Sequence, residues 1–273
     1  RMTASITCMS KRKKRYCSHV AQTKKLLIIC LWLVFWQTSA FVVHNSIMLV
    51  GPFEALQALW RQLPSADFWR SVFGSFSRIS IGFFSAFAAG ILLGALAYAV
   101  PLLEEILEPF MLFLKAVPVA SFIILVLIWA GSRNLSVVIS FLVVLPVIYV
   151  NTIAGLKSTD WKLLEMAEVF HMPVWKRIRF IYLPALIPYL LSGCRIALGM
   201  SWKSGAAAEV IGLPEHSIGE QLYLAKIYLE TADLFAWTLV IILISAVFER
   251  LVLFLLSRLC PQKGEGKHEA ADS

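Results

Sequence analysis

Apolar runs of about 20 residues recur along this chain, and a run of that length crosses a bilayer as one helix. They lie at about residues 26–43, 79–100, 106–130, 135–155, 184–208 and 234–256. The third contains Pro118 and Lys115, and the fifth contains Pro184, Arg195 and Lys203. A soluble domain of 273 residues would put more than 15% charged residues on its surface; here 59% of the chain is hydrophobic. The mean hydropathy of +0.76 fits the same conclusion. The sequence therefore predicts an all-α, polytopic membrane bundle of about six transmembrane helices over residues 26–258. A basic N-terminus at 1–25 and a polar tail at 259–273 flank it.

The formal charge of +8 raises the question of nucleic acid. Its placement answers otherwise. Lys11 to Arg15, Lys24 and Lys25 precede the first run; Lys157, Lys162, Lys176, Arg177 and Arg179 separate the fourth and fifth; Arg258, Lys263 and Lys267 follow the last. With six spans these regions share one side, which the positive-inside rule makes cytoplasmic, with both termini there. Arg61, Arg70, Arg78, Arg133 and Lys226 fall on the other side. The basicity is topological, and no nucleic-acid partner is expected.

The basic start followed by Leu26 to Trp36 has the outline of a signal peptide, with Thr38-Ser39-Ala40 as a cleavage site. The apolar run continues past Ala40, so an uncleaved first span is expected, with Met9 as a natural start and residues 1–8 upstream of it. Residues 44–75 are amphipathic, with Phe53, Leu56, Leu59 and Trp60 at helical spacing, and are expected at the bilayer interface. Gly82, Gly90 and Gly94 lie among alanines in the second run. Small residues at that spacing permit close helix–helix approach within the bundle, with a dimer seam as the alternative.

No catalytic pattern is present. The chain lacks Gly-x-x-x-x-Gly-Lys, His-Glu-x-x-His and Gly-x-Ser-x-Gly; Gly264-Glu265-Gly266-Lys267 has neither the spacing nor the context of a phosphate loop. Five cysteines without paired spacing and five scattered histidines point to neither disulfides nor a metal site. A pump built on this chain has no fuel site of its own, so ATP must be hydrolysed by another subunit, and the chain itself binds no cofactor.

One segment stands out between the fourth and fifth runs, from about 156 to 183. Glu165-Met166-Ala167, then Trp175, Phe180 and Leu183-Pro184, resembles the EAA loop of ABC importer permeases. Ser75-Phe76-Ser77-Arg78 with Gly82, Lys115 to Ala120, and Gly193 to Leu198 with Ser201-Trp202 and Ala208-Glu209 are similar to segments of the nitrate/sulfonate/taurine type of that family, also called binding-protein-dependent transport system inner membrane components. The resemblance implies a type I importer permease in a bacterial or archaeal inner membrane, with cytoplasmic ABC ATPase subunits, a second permease copy and an extracytoplasmic binding protein as partners. The implied cargo is a small solute: a sulfonate-, nitrate-, taurine- or bicarbonate-like anion, or a thiamine-precursor- or flavin-like nutrient.

By that resemblance the first helix of the loop, which also carries Glu168, docks on the ATPase, with Leu163, Leu164, Ala167 and Phe170 as an apolar stripe, Glu165 and the basic cluster Lys176, Arg177 and Arg179 as orienting charge, and Pro184 opening the next span. A helix binding anionic lipid is the plainer alternative, which the two glutamates oppose. The family pattern has Gly six residues after the loop glutamate; this chain has His171, with Pro173 close behind.

Ionisable groups within the runs normally face a cavity or a partner. Lys115, Pro118, Ser121, Trp202, Lys203 and Glu209 are the candidates for a substrate pathway, with a Lys203–Glu209 pair as a gate. Pro118 is expected to bend its span, and Arg195 to be structural. An ion-gradient-driven secondary transporter calls for inverted repeats or acidic relays, which are not seen. A non-transporting scaffold subunit leaves segment 156–183 without a role.

Overall fold

The computed structural model describes residues 24, 27, 28, 30–43 and 48–259, apart from the side chain at 259. The basic N-terminal residues up to Arg15, the expected start at Met9 and the polar tail after Pro261 lie outside these residues. Helices α1 (Cys30–Val43), α2 (Pro52–Gln62), α3 (Ala66–Ala99), α4 (Pro101–Ala116), α5 (Val119–Ala130), α6 (Leu135–Lys157), α7 (Trp161–Val169), α8 (Val174–Arg177), α9 (Leu183–Gly212), α10 (Ile218–Ile227) and α11 (Thr231–Leu259) follow in order, with no strand among the described residues.

The chain divides into two compact units. The first comprises residues 1–64 and 225–236. Here Trp36 Nε1 donates to the Val50 carbonyl at 3.0 Å, and the Trp36 and Phe235 rings lie 5.7 Å apart. Helix α2 realises the expected amphipathic segment: Ala55 and Ala58 are buried, while Phe53, Leu56 and Trp60 are exposed on the other side.

The second unit, residues 65–224 and 237–273, holds the candidate spans. Helices α3, α6, the stretch Val174–Gly212 and α11 are long and apolar enough to cross a membrane, and α4 with α5 makes a fifth if the bent pair counts as one. Six were expected. At the first run residues 24, 27, 28 and 30–43 are helical, and residues 25, 26 and 29 lie outside the described residues. Span two also begins earlier than hydropathy placed it. Asp67, Arg70 and Arg78 dilute the apolar signal before Ile79, yet the helix starts at Ala66, where the Ser65 side chain caps it by accepting the Phe68 N–H at 3.1 Å.

Helix α6 is the axis of this unit, lying along α3 on one side and α9 on the other. Ile79, Phe83 and Ala86 from α3, Val144 and Ile148 from α6, Cys194, Leu198 and Trp202 from α9, and Phe248 from α11 form one core. The small residues of α3 serve this packing. A Cβ on Gly82 would sit 2.7 Å from the Ser140 Cβ of α6, and Gly94 is as tight against Thr152. In lipid, helices gain little from hiding apolar surface, so close contact has to supply the attraction.

The Pro118 bend is present. Val117 is extended (φ −71°, ψ 130°), as a residue before proline prefers, and α4 and α5 meet at 103°. Helix α5 then stops at Gly131, whose φ of 69° suits a residue without a Cβ. At the other end, Lys157 Nζ reaches Glu104 Oε1 at 2.6 Å and ties the end of α6 to the start of α4.

Replacing Gly82 by Val should push α3 off α6 and destabilise the chain by about 1–3 kcal/mol. A lowered thermal midpoint of the purified protein in detergent would register this, with the exposed neighbouring position Ile81→Val as control.

Candidate functional site

The segment after α6 is shaped by its turn residues. Asp160 Oδ1 accepts the Lys162 N–H at 3.0 Å and starts α7. The helix ends in a Schellman turn: Met172 N–H donates to the Ala167 carbonyl at 2.8 Å and His171 N–H to that of Glu168 at 2.9 Å. That turn needs a left-handed residue, and His171 supplies it with φ 47°. The position where the family pattern has Gly is a left-handed position in this chain, held by a side chain that bears a steric cost glycine avoids. Pro173 lies beyond the end of α7 and opens α8, so it does not break the first helix.

Helix α7 turns Ala167 inward, with Leu164 half-buried, while Leu163 and Phe170 are exposed. The expected stripe is thus split between two faces. The surface presented to the outside is instead Trp161, Leu163, Met166, Val169, Phe170 and, from α8, Trp175. Val169 and Phe170 are each 75% exposed. Glu165 and Glu168 are exposed among them, with no ion pair to a described residue. Met166 and Val169 could have been found from the sequence, because they lie three apart beside Leu163 and Phe170.

Between α8 and α9 the chain makes a π-helical turn, Ile178–Tyr182. Pro184 accounts for it. Proline has no N–H to give to the carbonyl four residues earlier, and its ring crowds that carbonyl, so a wider turn relieves both. The Tyr182 ring meets Tyr98 of α3 edge-on at 6.0 Å.

The membrane residues form a separate constellation. Lys115, Pro118 and Ser121 are exposed around the α4–α5 bend, and Lys203 is exposed on α9. Neither lysine has a hydrogen bond or ion pair to a described residue. Trp202 points the other way, 2% exposed, against the rings of Phe76 and Phe248. Glu209 is fully buried. Its partners are Ser75, whose Oγ donates to Oε2, and Arg78, whose Nε lies 3.3 Å from Oε1. The structure does not bring Lys203 to Glu209, since residues six apart point about 120° away from each other on a helix.

Ser75 and Arg78 carry the network onward. Ser75 Oγ accepts the Ile218 N–H at 2.8 Å, and Arg78 Nη2 donates to the His216 carbonyl at 3.0 Å. The chain after α9 is thereby pinned to α3, across left-handed Leu213 and His216. Beside it opens a cavity of 670 Å³ lined by Arg78, Arg133, Glu215 and His216 among others. It lies at the helix ends opposite segment 156–183.

Residues 86–261 match the family of binding-protein-dependent transport system inner membrane components. The chain is 27% identical to the taurine transport system permease protein of Escherichia coli (strain K12), over 85% of this chain and 86% of that one. It is 26% identical to a putative aliphatic sulfonates transport permease protein of Bacillus subtilis (strain 168), over 91% and 90%. It is 30% identical to a bicarbonate transport system permease protein of Synechococcus elongatus, over 53% and 52%. The fold resembles a chain of a bacterial ABC transporter that imports the acidic polysaccharide alginate, with a TM-score of 0.56 at 15% identity, covering 86% of this chain and 92% of that one. The chain belongs to the binding-protein-dependent transport system inner membrane components: it is an inner-membrane ABC importer permease and no enzyme, working with an ATPase and a substrate-binding protein.

Glu209→Ala should leave half-buried Arg78 without its counter-charge and Ser75 without its acceptor and cost about 1–3 kcal/mol, while Glu209→Gln, which keeps the Ser75 bond, should cost less. Thermal unfolding of the two variants in detergent, read against wild type, tests the ranking.

Proposed function

We propose that segment 156–183 is the element through which the ATPase drives this permease. One observation carries the reading: a nine-residue helix beyond the end of α6 exposes Leu163, Met166, Val169 and Phe170 together. An apolar surface of that kind, set among charged residues, marks a place where a protein partner settles. Glu165 and Glu168 orient the contact, and His171 and Pro184 fix the turns at its two ends. Nucleotide-driven closure of two ATPase subunits then drags α7 and swings α9 through the segment that joins them. ATP binding favours an outward-open state and hydrolysis resets it. The segment and both termini face the cytoplasm in this arrangement, as the basic residues at 157, 162, 176, 177 and 179 support.

The pathway runs along the exposed side of α9 and the α4–α5 bend. Lys115 and Lys203 support this placement, because an unpaired ammonium facing hydrocarbon costs several kcal/mol, and a water-filled cavity or a partner removes that cost. A second copy of the chain completes the enclosure. Pro118 shapes the bend, Ser121 adds a hydroxyl, Trp202 backs the wall from the buried side, and Glu209 holds the helix that carries Lys203. The cargo is a small solute that carries an anionic group, as do the taurine, sulfonates and bicarbonate named for the relatives, and is delivered by the binding protein.

Glu165→Lys should abolish uptake and weaken copurification with the ATPase while the protein still inserts in the membrane. Normal uptake in that variant would remove the docking role. Lys203→Ala should raise the KM for uptake, or raise ATP hydrolysis without uptake, in proteoliposomes supplied with radiolabelled taurine or bicarbonate. If both quantities stay at wild-type values, Lys203 has no place in the pathway.

A further inference from the structure

Arg177 reaches back ten residues across the turn between α7 and α8. Its Nε donates to the Met172 carbonyl at 3.1 Å and its Nη2 to the Ala167 carbonyl at 3.4 Å. The Ala167 carbonyl also receives the Met172 N–H, so one guanidinium clasps both ends of the Schellman turn. Among the described residues the bond to Ala167 is the only side-chain hydrogen bond that joins α8 to α7, and the bond to Met172 ties α8 to the turn between them. Helix α8 is the four-residue first turn of the helical stretch Val174–Gly212, and the turn before it carries a left-handed histidine. Immediately after Arg177 the backbone widens into the π-helical turn Ile178–Tyr182, whose last residue touches Tyr98 of α3.

We infer that Arg177 is a positioning residue that makes α7 and α8 one rigid lever, so that nucleotide-driven bending is confined to the π-helical turn at 178–182. The inference rests on the reading of segment 156–183 as the ATPase-docking element. A planar fork is what the geometry requires: a lysine ammonium sits at one point and cannot span two carbonyls held by different parts of a turn. The clasp also offsets the histidine. A left-handed residue with a Cβ is prone to leave that conformation, and two charge-assisted hydrogen bonds across the turn oppose its escape. A stiff lever and a compliant joint together deliver the whole displacement of the docking helix to α9 and, through Tyr182, to α3.

The test is hydrogen exchange of the full permease in lipid nanodiscs, bound to its ATPase, with and without Mg-ATP. In wild type, residues 166–177 should exchange slowly whether or not nucleotide is present, and residues 178–183 should change with nucleotide. R177A should speed exchange over 166–177 by about tenfold and abolish the nucleotide response at 178–183. R177K should behave like R177A, and it replaces that variant if R177A fails to insert. H171G/R177A, in which glycine removes the steric cost of the turn, should regain the response. Wild-type exchange rates over 166–177 in R177A would overturn the inference. So would faster exchange with an undiminished response at 178–183, which leaves Arg177 a merely structural residue. If wild type fails to retain the ATPase, the docking reading falls instead.

Discussion

Close approach of helices is the constraint on which the membrane unit depends. Lipid offers no hydrophobic reward for joining two apolar helices, so α3, α6 and α9 are held by contact distance. Gly82 and Gly94 let α3 lie against Ser140 and Thr152, and Gly205 of α9 sits against Ile79 and Ser140. Where the three helices meet, aromatic rings from α3, α9 and α11 fill the remaining space, with Phe76, Trp202 and Phe248 in mutual contact. The axis at α6 follows from this: it is the helix that small residues approach from two sides.

Charge within the spans is handled in two opposite ways. Glu209 is taken inside and half-buried Arg78 at the cavity edge is its counter-charge, while Ser75 and backbone carbonyls use the remaining capacity. Such a pair contributes little to stability by existing, but losing either member is costly, which makes it a fixture. Lys115 and Lys203 are left on the surface of the unit without partners among the described residues. The first arrangement locks a helix end; the second asks for water or a neighbouring chain.

Much of this was legible in the sequence because its signals were local. Apolar length marked α3, α6, α9 and α11, and Pro118 marked the bend between α4 and α5. The glutamate-alanine segment marked the family. What escaped was of three physical kinds. The start of α3 was hidden because a helix continues through Arg70 and Arg78 where a hydropathy window ends. The partners of Glu209 come from α3, 131 and 134 positions away, and spacing within α9 says nothing about them. The spacing of Met166 and Val169 beside Leu163 and Phe170 offers a second apolar face on α7, and helical period alone leaves open which of the two faces turns inward with Ala167. The ion-gradient and scaffold alternatives fell to the family match and to no single residue.

The turn at the end of α7 has one more consequence. The carbonyls of Met166, Ala167 and Glu168 already receive hydrogen bonds from Phe170, Met172 with Arg177, and His171. Backbone acceptors that a helix terminus ordinarily leaves open are spent internally. Whatever grips this knob must read its greasy side chains, because the main chain there has little left to offer. Affinity for a subunit can then be retuned by exchanging outer side chains one at a time, with the scaffold of the knob untouched.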